Sequence, residues 1–382
     1  RSRGLGDVYK RQTYKGKLRN DEAQEFSAVI LAAIEQLDFV KKAAIVGDVA
    51  LQREVAHSLA FLIATDEFVN LETKFSDFDW LGIDFNTSNP FTLKGIHTPS
   101  LAQIEIHQCL VPEFVGKQFA LSASERHLAQ VGTNGIKLKV ALSKQDYTAD
   151  SQIYSAAGLP YIIPEMREGI SEFEWAAKNK IDDLITYQDL KGPLHNHSKY
   201  SDGSHSLPEI VAFCKQQGWK YLGIADHSQS GHFYNNGMKV PSVYKQWEEI
   251  EAINKQEPEF TIIKGIESDI LTDGSLDYAP EVLNGFEYVV ASIHNGMKMD
   301  IVKATERLLI AINNPYTSIV GHLTGRLLLK REGYPVDHKT IIDECARLGV
   351  AIEINSHPWR LDMDWRWLGY AAEQGVMISI TP

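Results

Sequence analysis

The 382-residue chain is long enough for about two or three domains with a sizeable core, and 44% hydrophobic with 23% charged residues excludes a collagen-like fibre or a largely disordered polymer. The net charge of −12 is shared evenly, with 20 Lys+Arg against 26 Asp+Glu in residues 1–190 and 18 against 24 in residues 191–382, which excludes a basic nucleic-acid arm in either half. No stretch approaches the ~18–20 unbroken apolar residues of a membrane helix, and three cysteines (Cys109, Cys214, Cys345) without a C-x-x-C spacing exclude a disulfide framework and a cysteine zinc site, so a reducing cytoplasm is expected.

Residues 1–12 (RSRGLGDVYKRQ) have neither helical nor strand periodicity and resemble a translated adapter, so they are set aside as a non-native segment. Residues 13–155 read as an irregular α+β region, with a helix over 21–37, a strand-turn-helix near 43–51, a strand near 59–64 and a β-segment at 103–109. Residues 156–188, opening with Gly158-Leu-Pro-Tyr-Ile-Ile-Pro164, read as a polar linker whose end falls near Tyr187.

From residue 189 the grammar changes. Strand-like runs at 192–197, 221–227, 261–267, 288–294, 318–322, 350–355 and 376–381 alternate with helical patterns, a spacing that fits successive βα units of a parallel, barrel-like α/β domain. Ser206-Leu-Pro-Glu209 carries the signature of a capped helix start with Pro in the first turn, Gly218 suits its end, and Pro241-Ser-Val-Tyr244 opens a second helix. In such barrels the chemistry sits where strands end. Five of the seven strand ends here supply His or Glu.

The candidate ligands are His195, His197, Asp202, His227 (after Asp226), Glu267, His294 and His322. Alternation puts His195 and His197 on one strand face. A single His near a strand end is usually a satisfied polar residue, but this many on one predicted rim point to metal binding. Imidazole with carboxylate suits Zn²⁺, Mn²⁺ or Fe²⁺, and such grouping supports phosphoester hydrolysis, because neighbouring cations polarise the phosphoryl oxygen, activate water and stabilise the leaving oxygen. His205, His232 and His338 lack that position and read as surface residues, and His357 reads as a non-ligand.

Leu194-His-Asn-His-Ser-Lys-Tyr-Ser-Asp-Gly203, Ile224-Ala-Asp-His-Ser-Gln-Ser230, Gly265-Ile-Glu267, Ala291-Ser-Ile-His294, Gly321-His322 and Glu353-Ile-Asn355 resemble successive motifs of the PHP (polymerase and histidinol phosphatase) superfamily. Asp273-Gly-Ser-Leu-Asp-Tyr278, Gly325-Arg-Leu-Leu-Leu-Lys-Arg-Glu-Gly-Tyr334 and Pro358-Trp-Arg-Leu-Asp362 narrow the resemblance to the PHP domain of bacterial family X DNA polymerases. The resemblance covers residues 189–382 and implies a distorted (β/α)7 barrel with up to three divalent cations: His195, His197 and Glu267 for the first, Glu267, His294 and His322 for the second, Asp202 and His227 for the third. Glu267 would bridge, and Glu267, His294 and His195 would carry the catalytic roles. Pro193 and Leu323 stand where the family usually has Asp and Pro, neither as a ligand. The same resemblance implies an Asp-x-His after the seventh strand, so the sequence reads as cut just short of two ligands at Pro382, with substoichiometric metal and weak activity expected.

Upstream the resemblance is weaker. Gly158-Leu-Pro-Tyr161 and Pro164-Glu-Met-Arg-Glu-Gly169 are similar to the connector before that domain, and 119–127 falls at the nucleotide segment of its palm, a small α+β nucleotidyltransferase-like fold. Laying Gly47-Asp-Val-Ala-Leu-Gln-Arg-Glu54 on the palm's turn puts Ser58, Ala60 and Glu105 at its three aspartate positions. Two-metal nucleotidyl transfer is therefore expected to be lost. The resulting reading is a metal-dependent phosphoesterase acting on DNA 3′ ends, as 3′–5′ exonuclease or 3′-phosphatase in DNA repair. A small-phosphomonoester phosphatase of histidinol-phosphatase type and a non-catalytic, metal-stabilised DNA-binding scaffold are the alternatives.

Overall fold

The computed structural model describes residues 14–143, 146–233 and 235–381; the adapter-like segment 1–12 and Pro382 lie outside them. Two compact units divide between Ile185 and Thr186. In the first, helix α1 (Asn20–Glu35) buries Ala23, Ser27, Ile30 and Ile34, a stripe spaced by four, three and four residues. That stripe packs with Leu59, Phe61, Ile63, Ile104 and Ile106, which come from a five-stranded sheet. Its strands are β1 (Lys42–Val46), β2 (Ser58–Thr65), β3 (Leu81–Ile83), β4 (Thr92–His97) and β5 (Ala102–Leu110), in the order β1-β2-β5-β4-β3. Only β2 and β5 pair in parallel.

A second cluster joins helices α2 (Phe114–Leu121) and α3 (Asp150–Ala157) through Phe119, Ile153, Tyr154 and Ile162. The earlier part of the stretch 156–188, up to Ala176, packs into it. Ile162, Arg167 and Glu172 are buried, and the charges that gave the stretch its linker-like polarity are paired inside. Glu172 Oε1 lies 2.7 Å from His127 Nδ1, whose Nε2 meets the Tyr154 hydroxyl at 2.8 Å. Arg167 donates to Ile162 O at 3.1 Å and pairs with Asp150.

The second unit holds a curled sheet of six parallel strands in sequence order: β6 (Tyr221–Ile224), β7 (Thr261–Asp269), β8 (Tyr288–Ser292), β9 (Ile319–Val320), β10 (Ala351–Asn355) and β11 (Ile378–Thr381). Helices α4 (Leu207–Gln216), α5 (Val240–Gln256), α6 (Ile301–Ile312), α7 (His338–Leu348) and α8 (Leu368–Glu373) alternate with them. Glu209 caps α4 as its sequence implies, accepting from Ser206 N and Ser206 Oγ, both at 2.7 Å.

The run 192–197, read as a first strand, forms only an isolated parallel bridge between Asn196 and Ile224. Pro193 has no N–H to offer the ladder, so the pairing is largely one-sided: Gly223 N donates to Pro193 O and Ala225 N to Asn196 O, each at 2.8 Å. Under these segments the Tyr288 hydroxyl donates to Ile224 O at 3.0 Å. Gly265 leaves room for that ring, since a Cβ there would lie 2.2 Å from Tyr288 Cζ.

In the first unit the β2–β5 register sets Ala60 directly beside Glu105. Glu105 bonds Lys94 Nζ at 3.2 Å across to β4 and His107 Nε2 at 3.3 Å along its own strand. The His107 imidazole, with Lys94, outweighs burial and holds the Glu105 carboxyl at about 2, below its ordinary 4.5. A depressed folded value contributes stability that is complete above the unfolded value and is lost as pH falls from about 4.5 towards 2. Glu105→Gln should therefore flatten the acid limb of the stability curve in that window, measured by denaturant unfolding at pH 5, 4 and 3. An unchanged acid limb would contradict the pairing.

Candidate metal centre

The ligand side chains are delivered by the ends of parallel strands and by the segment on either side of Asn196. Glu267 lies near the end of β7, His227 three residues beyond β6, and His294 and His322 each two residues past β8 and β9. Glu267 is 1% exposed and every candidate imidazole turns to it. Its Oε1 is 3.1 Å from His195 Nε2, 3.2 Å from His294 Nε2 and 2.9 Å from His322 Nε2. Its Oε2 is 2.8 Å from His227 Nδ1 and 3.7 Å from His197 Nε2. Asp202 closes the open side, 3.5 Å from His197 Nδ1 and 3.6 Å from His227 Nε2. All seven sequence-derived residues converge.

Three sets of ligand atoms lie within 4.8 Å of one another: His195–His197–Glu267, His197–Asp202–His227 and His227–Glu267–His294. The first set follows the sequence expectation. The others differ from it, because His197 joins Asp202 and His227, and His227 takes the place beside Glu267 and His294 that was expected for His322. His322 reaches Glu267 alone through its hydrogen-bonded Nε2. The order of ligands along a sequence does not reveal which strand ends a curled sheet makes neighbours.

A divalent cation fits this donor set. Glu267 Oε2 is buried without accepting a hydrogen bond, and His197 Nδ1 and His322 Nδ1 are buried without a hydrogen-bond partner. The donors are imidazole nitrogen and carboxylate oxygen; the cysteines are buried and belong to none of the three sets. Charge agrees. Burial opposes ionisation of each ring, yet Glu353 and Glu267 push His195 up to about 10, and Glu267 with Asp202 pushes His227 up to about 10. Burial prevails at His197, lowered to about 3, and at His322, lowered to about 4. Burial would raise the Glu267 carboxyl, but His294, His195 and His227 hold it well below the carboxylate range. The pocket thus demands positive charge, which protons or cations can supply, so cation binding releases protons.

Two carboxylates that hold the ligands had no role in the sequence reading. Asp269 takes both His294 Nδ1 and Ser230 Oγ. Glu353 meets His195 Nδ1 at 2.6 Å, accepts from His322 N at 2.5 Å and takes Thr381 Oγ1. Alternation could have found Asp269, two residues beyond Glu267 on the same strand face, and Glu353 is a lone charge in an apolar strand. Asp226 is not a ligand: fully buried, it accepts from Ser198 N at 2.8 Å, Ser198 Oγ at 2.7 Å and Gln246 Nε2 at 2.6 Å, pinning the loop that carries His197 and Asp202. His205 and His357 are exposed, and His338 stacks on Trp367 at 4.7 Å.

Carboxylate partners of ligating imidazoles typically change metal affinity 10–100-fold. Asp269→Asn, nearly isosteric, should weaken Mn²⁺ binding by roughly that factor while leaving the melting temperature in EDTA close to the parent's. Calorimetric titration decides; unchanged affinity would remove Asp269 from the site.

Residues 193–357 match the family model described as PHP domain. The chain is 31% identical over 362 residues to DNA polymerase/3'-5' exonuclease PolX of Bacillus subtilis, an alignment covering 91% of this chain and 62% of that protein. It is 31% identical over 172 residues to a protein named Probable phosphatase of Clostridium acetobutylicum (43% of this chain, 63% of that protein) and 30% identical over 178 residues to another of Vibrio atlanticus (44% and 64%). The chain spans less than two thirds of the length of each. Among the described residues no helix is long and apolar enough to cross a membrane. With the family match lying across the segment that carries the His–Glu cluster, residues 193–357 are a PHP domain.

Proposed function

We propose that the chain is a metal-dependent phosphoesterase that hydrolyses phosphoester bonds at DNA 3′ ends, as 3′–5′ exonuclease or 3′-phosphatase. The observation that carries this reading is the buried Glu267 carboxylate faced by five imidazoles. In this reading residues 189–382 form a distorted (β/α)7 barrel. Bound cations would supply electrophilic stabilisation of the phosphoryl oxygens and an activated water. His195, His197, Asp202, His227, Glu267, His294 and His322 hold them, with Glu267 shared between sites. Asp269 and Glu353 fix the tautomer and aim of His294 and His195.

The choice of DNA rests on the extent of the likeness. The Bacillus alignment runs through both units, covering 91% of this chain, whereas the two phosphatase alignments cover 43% and 44%. The first unit, over residues 13–155, is then a polymerase-like module without nucleotidyl transfer. Ala60 cannot ligate a metal, Ser58 is neutral, and the one carboxylate beside them, Glu105, is engaged by Lys94 and His107. Residues 156–188 connect the units, their earlier part packed into the first.

A substrate panel tests the reading: a 3′-recessed duplex, the same duplex bearing a 3′-phosphate, and histidinol phosphate, each with Mn²⁺ and with EDTA. Mn²⁺-dependent release of nucleotides or phosphate from DNA, faster than from histidinol phosphate, is expected, with no primer extension when dNTPs are added. Preference for histidinol phosphate would favour a small-molecule phosphatase, and tight metal binding without hydrolysis would favour a scaffold.

A further inference from the structure

Beside the metal centre, and on the same rim, lies a basic pocket. The loops after β7 and β8 and the first turns of α6 enclose about 400 Å³ between Thr272, Gly296, Met297, Lys298, Met299, Lys303 and Arg307. Three of those seven residues are cationic and none is acidic, in a chain of net charge −12. Lys298 and Lys303 are exposed, and neither forms an ion pair among the described residues. Arg307 is 4% exposed and donates to uncharged partners: Leu271 O at 2.7 Å, Asn295 O at 2.9 Å, Ile270 O and the Met299 sulfur. It staples the two loops together and lines the cavity, with the Asp269 and Asp273 carboxylates also acting on its charge. Asp300, which precedes α6, is engaged as its cap by Lys303 N at 2.8 Å.

The pocket is placed by the catalytic rim itself. Gly296 and Met297 follow His294 by two and three residues, Thr272 follows Asp269 by three, and a Cβ at Gly325, three residues after His322, would lie 3.4 Å from Met297 Cε. Gly296 has φ +65° and sits where a side chain would crowd Arg307 Nη1 at 3.3 Å. A monoester carries one phosphate, which the metal centre would take; a strand carries further phosphates at a fixed spacing. Two exposed lysines without ion pairs at the mouth and an arginine fixed at the base suit such a second phosphate.

We propose that this pocket seats a backbone phosphate of the nucleic-acid strand whose 3′ end lies over Glu267, so that it distinguishes a strand from a small phosphomonoester. The proposal rests on the DNA reading above and deepens it.

The test is equilibrium binding, by fluorescence anisotropy in EDTA, of a duplex with a single-stranded 3′ tail across a series of KCl concentrations. Lys298→Ala/Lys303→Ala should bind roughly ten-fold more weakly near 0.1 M salt, and its log affinity against log salt should flatten by about 0.7, the loss of one neutralised phosphate on a single strand. Lys298→Arg/Lys303→Arg should restore both. A double-alanine variant with parental affinity and slope would overturn the pocket assignment while leaving the DNA reading intact. A parent chain that binds no DNA yet hydrolyses histidinol phosphate with Mn²⁺ would overturn the DNA reading and the pocket with it.

Discussion

A carboxylate with 1% exposure cannot stand uncompensated, and Glu267 is compensated from every side by imidazoles carried on four other strand ends and loops. An isolated buried charge would cost far more than the few kcal/mol that separate a folded chain from an unfolded one. The parallel sheet must therefore curl until those strand ends meet. Tyr288, lying beneath the site where Gly223 and Gly265 make room, and Glu353, reaching His195 from β10, are consequences of that curl. Asp269, Glu353 and Asp226 then act one step outward, turning a cluster of rings into fixed donors.

The His–Glu cluster was legible in the sequence because it is written at strand ends. Period-two alternation links His195 to His197, and the βα spacing brings Glu267, His294 and His322 to one rim. The grouping of the ligand atoms was not legible, because His227 and Glu267 meet as directly bridged residues following and within the adjacent strands β6 and β7, a register that spacing alone does not fix. Asp269 and Glu353 escaped a role because a carboxylate that orients a ligand has no spacing of its own. The strand at 192–197 was overdrawn because Pro193 removes a ladder donor that an apolar-polar pattern does not register. Residues 156–176 looked like a linker because their charges pair in the interior, and a one-dimensional reading prices such residues as solvent-facing.

The two units follow different logics. The second is organised around a demand for positive charge at its centre and meets it with nitrogen ligands. The first has an ordinary apolar core between α1 and the sheet, and its Glu105, beside Ala60 in the sheet, is paired locally with Lys94 and His107.

The bridging role of Glu267 is the centre of this account, and metal content is its most direct measure. Inductively coupled plasma mass spectrometry on Mn²⁺-loaded, buffer-exchanged Glu267→Gln, with circular dichroism to confirm its fold, should show the loss of more than one equivalent relative to the parent, together with loss of phosphoester hydrolysis. A folded Glu267→Gln protein with full metal content and activity would contradict it.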